Sequence, residues 1–190
     1  MGLTISRTPR RQKERLHPRV EVIRWSPNYL GRGGARPSLI VIHATAGHNR
    51  PGISDLQGLG SWFASPGSQV SSHAATDNEG NSARFVLDVA KAWHVAGYNR
   101  MALGLEQVAP GDGREITQAM VKESGRWVAQ WAHQHHIPIQ PAIVDQGYVR
   151  RPGVIRHSQL GALGGNHDDP GPYPEHELLQ YARHCLRKGY

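Results

Sequence analysis

The residues best suited to chemistry in this chain are histidines and carboxylates near the ends of short apolar runs. "SLIVIH" (Ser38–His43) ends on His43, and "GVIRH" (Gly153–His157) ends on His157. Twelve residues beyond His157 lies Asp169, inside "GGNHDDPGPYP", where His167, Asp168 and Asp169 precede a rigid Pro-Gly-Pro turn. A neutral imidazole is a good zinc ligand. Two histidines and one carboxylate make a three-ligand set that leaves one coordination position open. A strand-end histidine is more often a structural residue, and a solvated loop often carries paired aspartates for solubility alone. The residues alone therefore leave open whether "HDD" binds a metal and which aspartate would do so.

The cysteine count narrows the choice. Cys185 is the single cysteine, so no intrachain disulfide and no multi-cysteine zinc site can form. Any metal falls to the twelve histidines and the carboxylates. Cys185 itself reads as a small core residue. Among the other histidines, His73 and His94 suit structural hydrogen bonds better than groove lining. His133, His135 and His136 suit the negative end of a helix. His48 stands where it could touch a substrate.

The elements that would position these groups read as a mixed α/β domain. "VEVIRW" (Val20–Trp25) suits an edge strand, and "NYLGRGGARP" a glycine-rich loop. "SLIVIH" has the continuous apolar run of a buried central strand. Residues 53–64 suit a short helix, with Leu56, Leu59 and Phe63 at helical spacing. "QVSSHAATDNEGNSARFVL" reads as strand, tight turn, strand. In "MALGLEQV", Ala102, Gly104 and Glu106 face one side of a strand, and Leu103 and Leu105 the other. Residues 115–136 predict a helix with Ile116, Met120, Trp127, Val128 and Trp131 on one stripe, stopped by "IPIQP". "GVIRH" is a further strand, and residues 175–187 a closing helix. The expected fold is α/β, a central sheet of about five or six strands flanked by helices, with the site in a surface groove at strand ends.

The chain has 190 residues and a formal net charge of +7, enough length for one compact domain and a balance that favours an anionic partner. Residues 1–19 carry Arg or Lys six times against one Glu. They read as a mobile basic arm ahead of a domain at 20–190, either a solvated tail or a tether to an anionic polymer. The N-terminus lacks the apolar core of a secretory signal, and no apolar run is long enough to span a bilayer. The expectation is a protein made in the cytoplasm, without membrane insertion. There is no recognisable nucleic-acid module, so nucleic acid is not the expected partner.

Four stretches in order, from about Leu39 to Tyr173, resemble the type 2 N-acetylmuramoyl-L-alanine amidase family, zinc enzymes related to peptidoglycan-recognition proteins and amidase-type phage lysozymes. They are "LIVIHATAG", "VSSHAATDNEGNSARFV", "AWHVAGYNRMALGLE" and "RHSQLGALGGNHDDPGP". The resemblance implies zinc held by His43, His157 and Asp169, the ligand aspartate being the one before proline. A pre-proline residue is held extended, which restricts where its side chain points and turns Asp168 elsewhere. Glu106 matches an acidic residue used near the zinc water, as a general base with small neighbours that leave room for substrate. His167 stands where many members have a lysine that stabilises the oxyanion, so here an imidazole N–H would have to serve. A tyrosine that some phage members place near the site is matched by Ser72.

The implied activity is hydrolysis of the amide between N-acetylmuramic acid and L-alanine in peptidoglycan. The implied setting is a monomeric phage endolysin that reaches the bacterial cell wall after release. A cytoplasmic muropeptide-recycling amidase is the alternative within the class. A non-catalytic peptidoglycan receptor of the same fold is the alternative outside it, and the three filled ligand positions speak against that.

Overall fold

A computed structural model of the chain describes residues 14–47 and 50–190. His48 and residues 1–13 of the expected arm lie outside the described residues. From the N-terminal side, β1 (Val20–Ile23) and β2 (Tyr29–Gly31) lead into β3 (Leu39–Ala44) and α1 (Ser54–Ala64). The hairpin of β4 (Ala74–Thr76) and β5 (Ser82–Arg84) follows, then β6 (Ala90–Ala92) and β7 (Ala102–Gln107). The long helix α2 (Gln118–His135), a second hairpin of β8 (Ile143–Asp145) and β9 (Tyr148–Arg151), β10 (Gly153–Arg156) and α3 (Glu175–Gly189) complete the order.

Six strands form one sheet in the order β1-β5-β4-β7-β3-β10. β7, β3 and β10 run parallel side by side, and β4 joins β7 in parallel. The antiparallel β4–β5 hairpin turns the sheet's direction toward its β1 edge. Strands β3 and β7 are buried along their whole length, which explains their near-continuous apolar sequence. Ile40, Ile42, Leu103 and Leu105 face α2 and α3, where Trp127, Trp131, Leu178 and Leu179 close the core. Leu39 and Val41 face the other way, toward Val95, Tyr98 and Leu160. The helix α1 packs on that second face through Leu56 and Phe63 against Phe85 and Ala75.

Three features depart from the sequence reading. Tyr29–Gly31, expected as loop, pairs antiparallel with Ala90–Ala92. All three residues are exposed, so the pairing left no burial pattern to read. The β8–β9 hairpin is likewise short and mostly exposed. The helix expected from Glu115 begins at Gln118, because Thr117 caps it: its side chain accepts from the Met120 N–H at 3.2 Å.

Of the expected arm only residues 14–19 are described, and these are bound to the domain. Arg15 grips Glu123 on α2 through both terminal nitrogens, at 3.2 and 2.8 Å. The backbone N–H of Arg19 donates to the same carboxylate, and Arg126 donates to the Arg15 carbonyl. A fully buried carboxylate needs such donors, and the basic residues before β1 supply them.

Candidate metal centre and groove

The parallel register sets the site. His43 on β3 is paired with Glu106 on β7, and Ile42 is paired with Arg156, the last residue of β10. Partners across parallel strands point to the same face. Glu106, His43 and His157, the residue just after β10, therefore stand in one row across three strands at their C-terminal ends. The row lies on the face away from α2 and α3.

Asp169 comes to this row from the loop before α3. That loop is pinned at several points. The N–H of Ser158 donates to the Asp169 carbonyl at 2.8 Å, and Gly171 N–H to the Gly111 carbonyl at 2.7 Å. Arg156 reaches the Gly171 carbonyl at 2.7 Å. A side chain at Gly113 would collide with the Pro172 carbonyl at 1.9 Å, so the neighbouring turn requires glycine. The backbone N–H of Ala44 donates to Asp169 Oδ2 at 3.0 Å, which leaves Oδ1 free to face the histidines.

His43, His157 and Asp169 each offer a ligand atom, all within 4.8 Å of one another. Nδ1 of His157 lies 3.1 Å from Asp169 Oδ1, and Nδ1 of His43 lies 3.6 Å from Oδ2. The distal nitrogens are engaged elsewhere. His157 Nε2–H donates to the Gly164 carbonyl at 2.8 Å, and His43 Nε2 meets His94 Nδ1 at 2.9 Å. Nδ1 of His157 is buried with no hydrogen-bond partner among the described residues. An orphaned, inward-facing nitrogen beside a second imidazole and a carboxylate fits a zinc ion in donor type and spacing.

The electrostatics agree with that fit. Burial pushes His43 down to about 4, against the opposing pull of Asp169, so it is neutral at pH 7. Burial alone would raise Asp169, but the closeness of the His157 and His43 rings and the Ala44 N–H hold it well below the usual carboxylate range. Burial and the nearby Asp169 push Glu106 up to about 8.

The other expected site residues are placed as follows. Glu106 lines the groove, 9% exposed. His167 lies over His157 with ring centroids 4.3 Å apart and an interplanar angle of 19°, its Nδ1 3.5 Å from Asp169 Oδ1. Asp168 is exposed and outside the cluster. Ser72 is fully buried and does not line the groove. His73 is structural: its Nδ1 accepts from the Gly104 N–H at 2.9 Å, and its Nε2 lies 3.2 Å from the Ala90 carbonyl. His94 does more than the sequence reading gave it, because it both lines the groove and contacts a cluster histidine. The groove encloses about 520 Å³ and runs from the cluster toward α1.

A groove at strand ends with a His-His-carboxylate cluster and a second, buried carboxylate has the make-up of a metal-assisted hydrolase site. The fold is that of the Staphylococcus aureus hydrolase AmiA, with a TM-score of 0.66 at 18% identity over 90% of this chain and 84% of that one. It is also similar to the endolysin N-acetylmuramoyl-L-alanine amidase LysCS from Clostridium intestinale, with a TM-score of 0.59 at 16% identity over 87% and 97% of the two chains. In sequence, the chain is 27% identical over 160 residues to N-acetylmuramoyl-L-alanine amidase A of Achromobacter lyticus, covering 78% of this chain and 86% of that protein. The N-acetylmuramoyl-L-alanine amidase family model matches residues 33–172, and the chain belongs to that family.

Proposed function

We propose that the chain is a zinc-dependent N-acetylmuramoyl-L-alanine amidase that cleaves the bond between N-acetylmuramic acid and L-alanine in peptidoglycan. The observation that carries this reading is the convergence of His43, His157 and Asp169 beside Glu106 in the groove of a family member. His43 and His157 would hold the metal through Nδ1, and Asp169 through Oδ1. Bound there, zinc would supply Lewis acidity, lowering the pKa of water toward about 7 and polarising a carbonyl.

The side chains do the rest. Glu106 takes a proton from the attacking water at its carboxylate and returns it to the departing amine of L-alanine. A metal ion held by the cluster would favour its ionised form. His167, standing over His157 and open to the groove, donates an N–H to the developing oxyanion. His94 keeps His43 in the tautomer whose Nδ1 is free.

The proposed setting is a phage endolysin, a monomer whose +7 charge concentrates it on an anionic wall. Among the described residues no helix is long and apolar enough to cross a membrane. Zinc analysis, coupled to mass spectrometry of digested peptidoglycan, tests the activity. A new L-alanine amino terminus is expected, and glycan or peptide–peptide cleavage instead would overturn the reading. Lysis of purified sacculi is expected of an endolysin. Turnover confined to soluble muropeptides would mean a recycling role.

A further inference from the structure

Away from the cluster, the groove is walled by Leu59, Trp62 and Phe63 of α1, by Val70 and by Trp93. Trp62 is 58% exposed and Val70 is 38% exposed. The core does not require the Trp62 indole, because α1 buries Leu56, Gly60 and Phe63 instead. A large indole facing solvent from a concave wall is an unused anchor.

The wall is also rigid. Buried Asn28 directs its Nδ2 at the Ser65 carbonyl (2.8 Å), Ser68 Oγ (2.9 Å) and the Val70 carbonyl (3.2 Å). Ser26 Oγ donates to the Phe63 carbonyl at 2.6 Å. The end of α1 and the loop after it are thus tied to the segment before β2. A platform held this way loses little freedom when a ligand packs on it.

Charge selects the ligand. No Lys or Arg lines the groove among the described residues. The two halves of the substrate differ in that respect. The stem peptide beyond L-alanine carries free carboxylates and would seek cations. The muramoyl half, its lactyl carboxyl consumed in the amide, is neutral and offers a ring face of C–H groups beside an acetamido group. A wall of indole and aliphatic carbon without a cation suits the sugar.

We infer that Trp62, with Val70 and Trp93, forms a carbohydrate subsite on which the muramoyl ring stacks. The inference rests on the amidase reading and adds the side of the scissile bond that the α1 wall recognises. The test titrates the zinc-loaded full chain with a GlcNAc–MurNAc disaccharide whose lactyl carboxyl is capped as the methylamide. Indole N–H resonances report binding, and Trp62→Phe assigns the Trp62 signal. The disaccharide is expected to shift that signal, and Trp62→Ala to weaken binding about five- to tenfold. In turnover, Trp62→Ala is expected to lower the kcat/KM ratio of muramoyl-dipeptide to N-lactoyl-dipeptide by a similar factor. A Trp62 signal that answers the free stem peptide and not the disaccharide overturns the subsite, as does an unchanged ratio. A wild-type chain that cleaves neither dipeptide overturns the amidase reading instead, and the disaccharide titration then decides the subsite by itself.

Discussion

His43 Nε2 and His94 Nδ1 lie 2.9 Å apart, and this contact decides which nitrogen of His43 faces the cluster. With the proton on His43 Nε2, that N–H donates to His94, and Nδ1 keeps its lone pair toward Asp169. With the proton on Nδ1, the lone pair needed by a metal is gone. His94 Nε2 then carries the proton of its own ring, buried and without a partner among the described residues.

Replacing His94 with Ala is therefore expected to cost about 10–100-fold in zinc affinity. His94→Gln, whose Oε1 can accept the same N–H, should recover part of the loss. Competition with a chromophoric chelator measures both. Wild-type affinity in His94→Ala would show that His43 needs no help in choosing its tautomer.

Gly104 guards the same contact from the neighbouring strand. A Cβ there would stand 2.6 Å from His94 Nδ1 and 2.6 Å from Ser72 Oγ. Both partners sit in packed surroundings, so Gly104→Ala should displace His94 and reproduce the affinity loss of His94→Ala. It should also destabilise the metal-free chain by about 1–3 kcal/mol through overpacking. Melting curves with and without zinc read the two effects separately, and full affinity with an unshifted Tm would contradict the argument.

Glu106→Gln separates proton transfer from folding. Activity should fall about 10²–10⁴-fold while zinc stays bound. In the metal-free chain, Glu106 has a folded pKa of about 8 against an ordinary 4.5. The folded state holds a proton in that interval that the unfolded state has released. This stability is fully present below the unfolded pKa and is lost as pH rises through the folded one. Glutamine mimics the protonated form, so Glu106→Gln should be no more stable than wild type at pH 4 but more stable at pH 8. Denaturant titrations at the two pH values check the sign, and parallel wild-type and variant curves would refute it.

Much of this arrangement was legible because apolar runs end on the residues that matter. Leu39–Ile42 and Gly153–Ile155 announce buried strands, and the faces of β7 follow from simple alternation. The family resemblance then separated Asp169 from Asp168, which periodicity could not do. The register that sets His43 beside Glu106 was not legible, since parallel pairing joins segments some sixty residues apart and leaves no local signal. The His94 contact depends on that register and was hidden with it. The strands of the β2–β6 and β8–β9 pairs are three or four residues long, and β2, β8 and β9 are largely exposed, so no alternation marked them. The basic residues before β1 looked like a tail because their partner, Glu123, lies more than a hundred residues away.

That partner gives the last prediction. The Glu123 side chain is fully buried and accepts from Arg15, the Arg19 backbone and Arg126 at 2.8–3.2 Å. Glu123→Ala would strand the Arg126 guanidinium, itself only 11% exposed, and should cost about 3–5 kcal/mol. Arg15 is 38% exposed and shares the carboxylate with Arg126. Its loss should cost less, about 1–2 kcal/mol, between the worth of an exposed pair and a buried one. Glu123 lies on α2, across the sheet from the groove, so kcat of the folded Arg15→Ala variant should match wild type. Urea unfolding followed by turnover at 25 °C tests both halves. An unmoved midpoint would mean that residues 14–19 do not brace the domain, and a fall in kcat would mean that their influence reaches through the sheet to the groove.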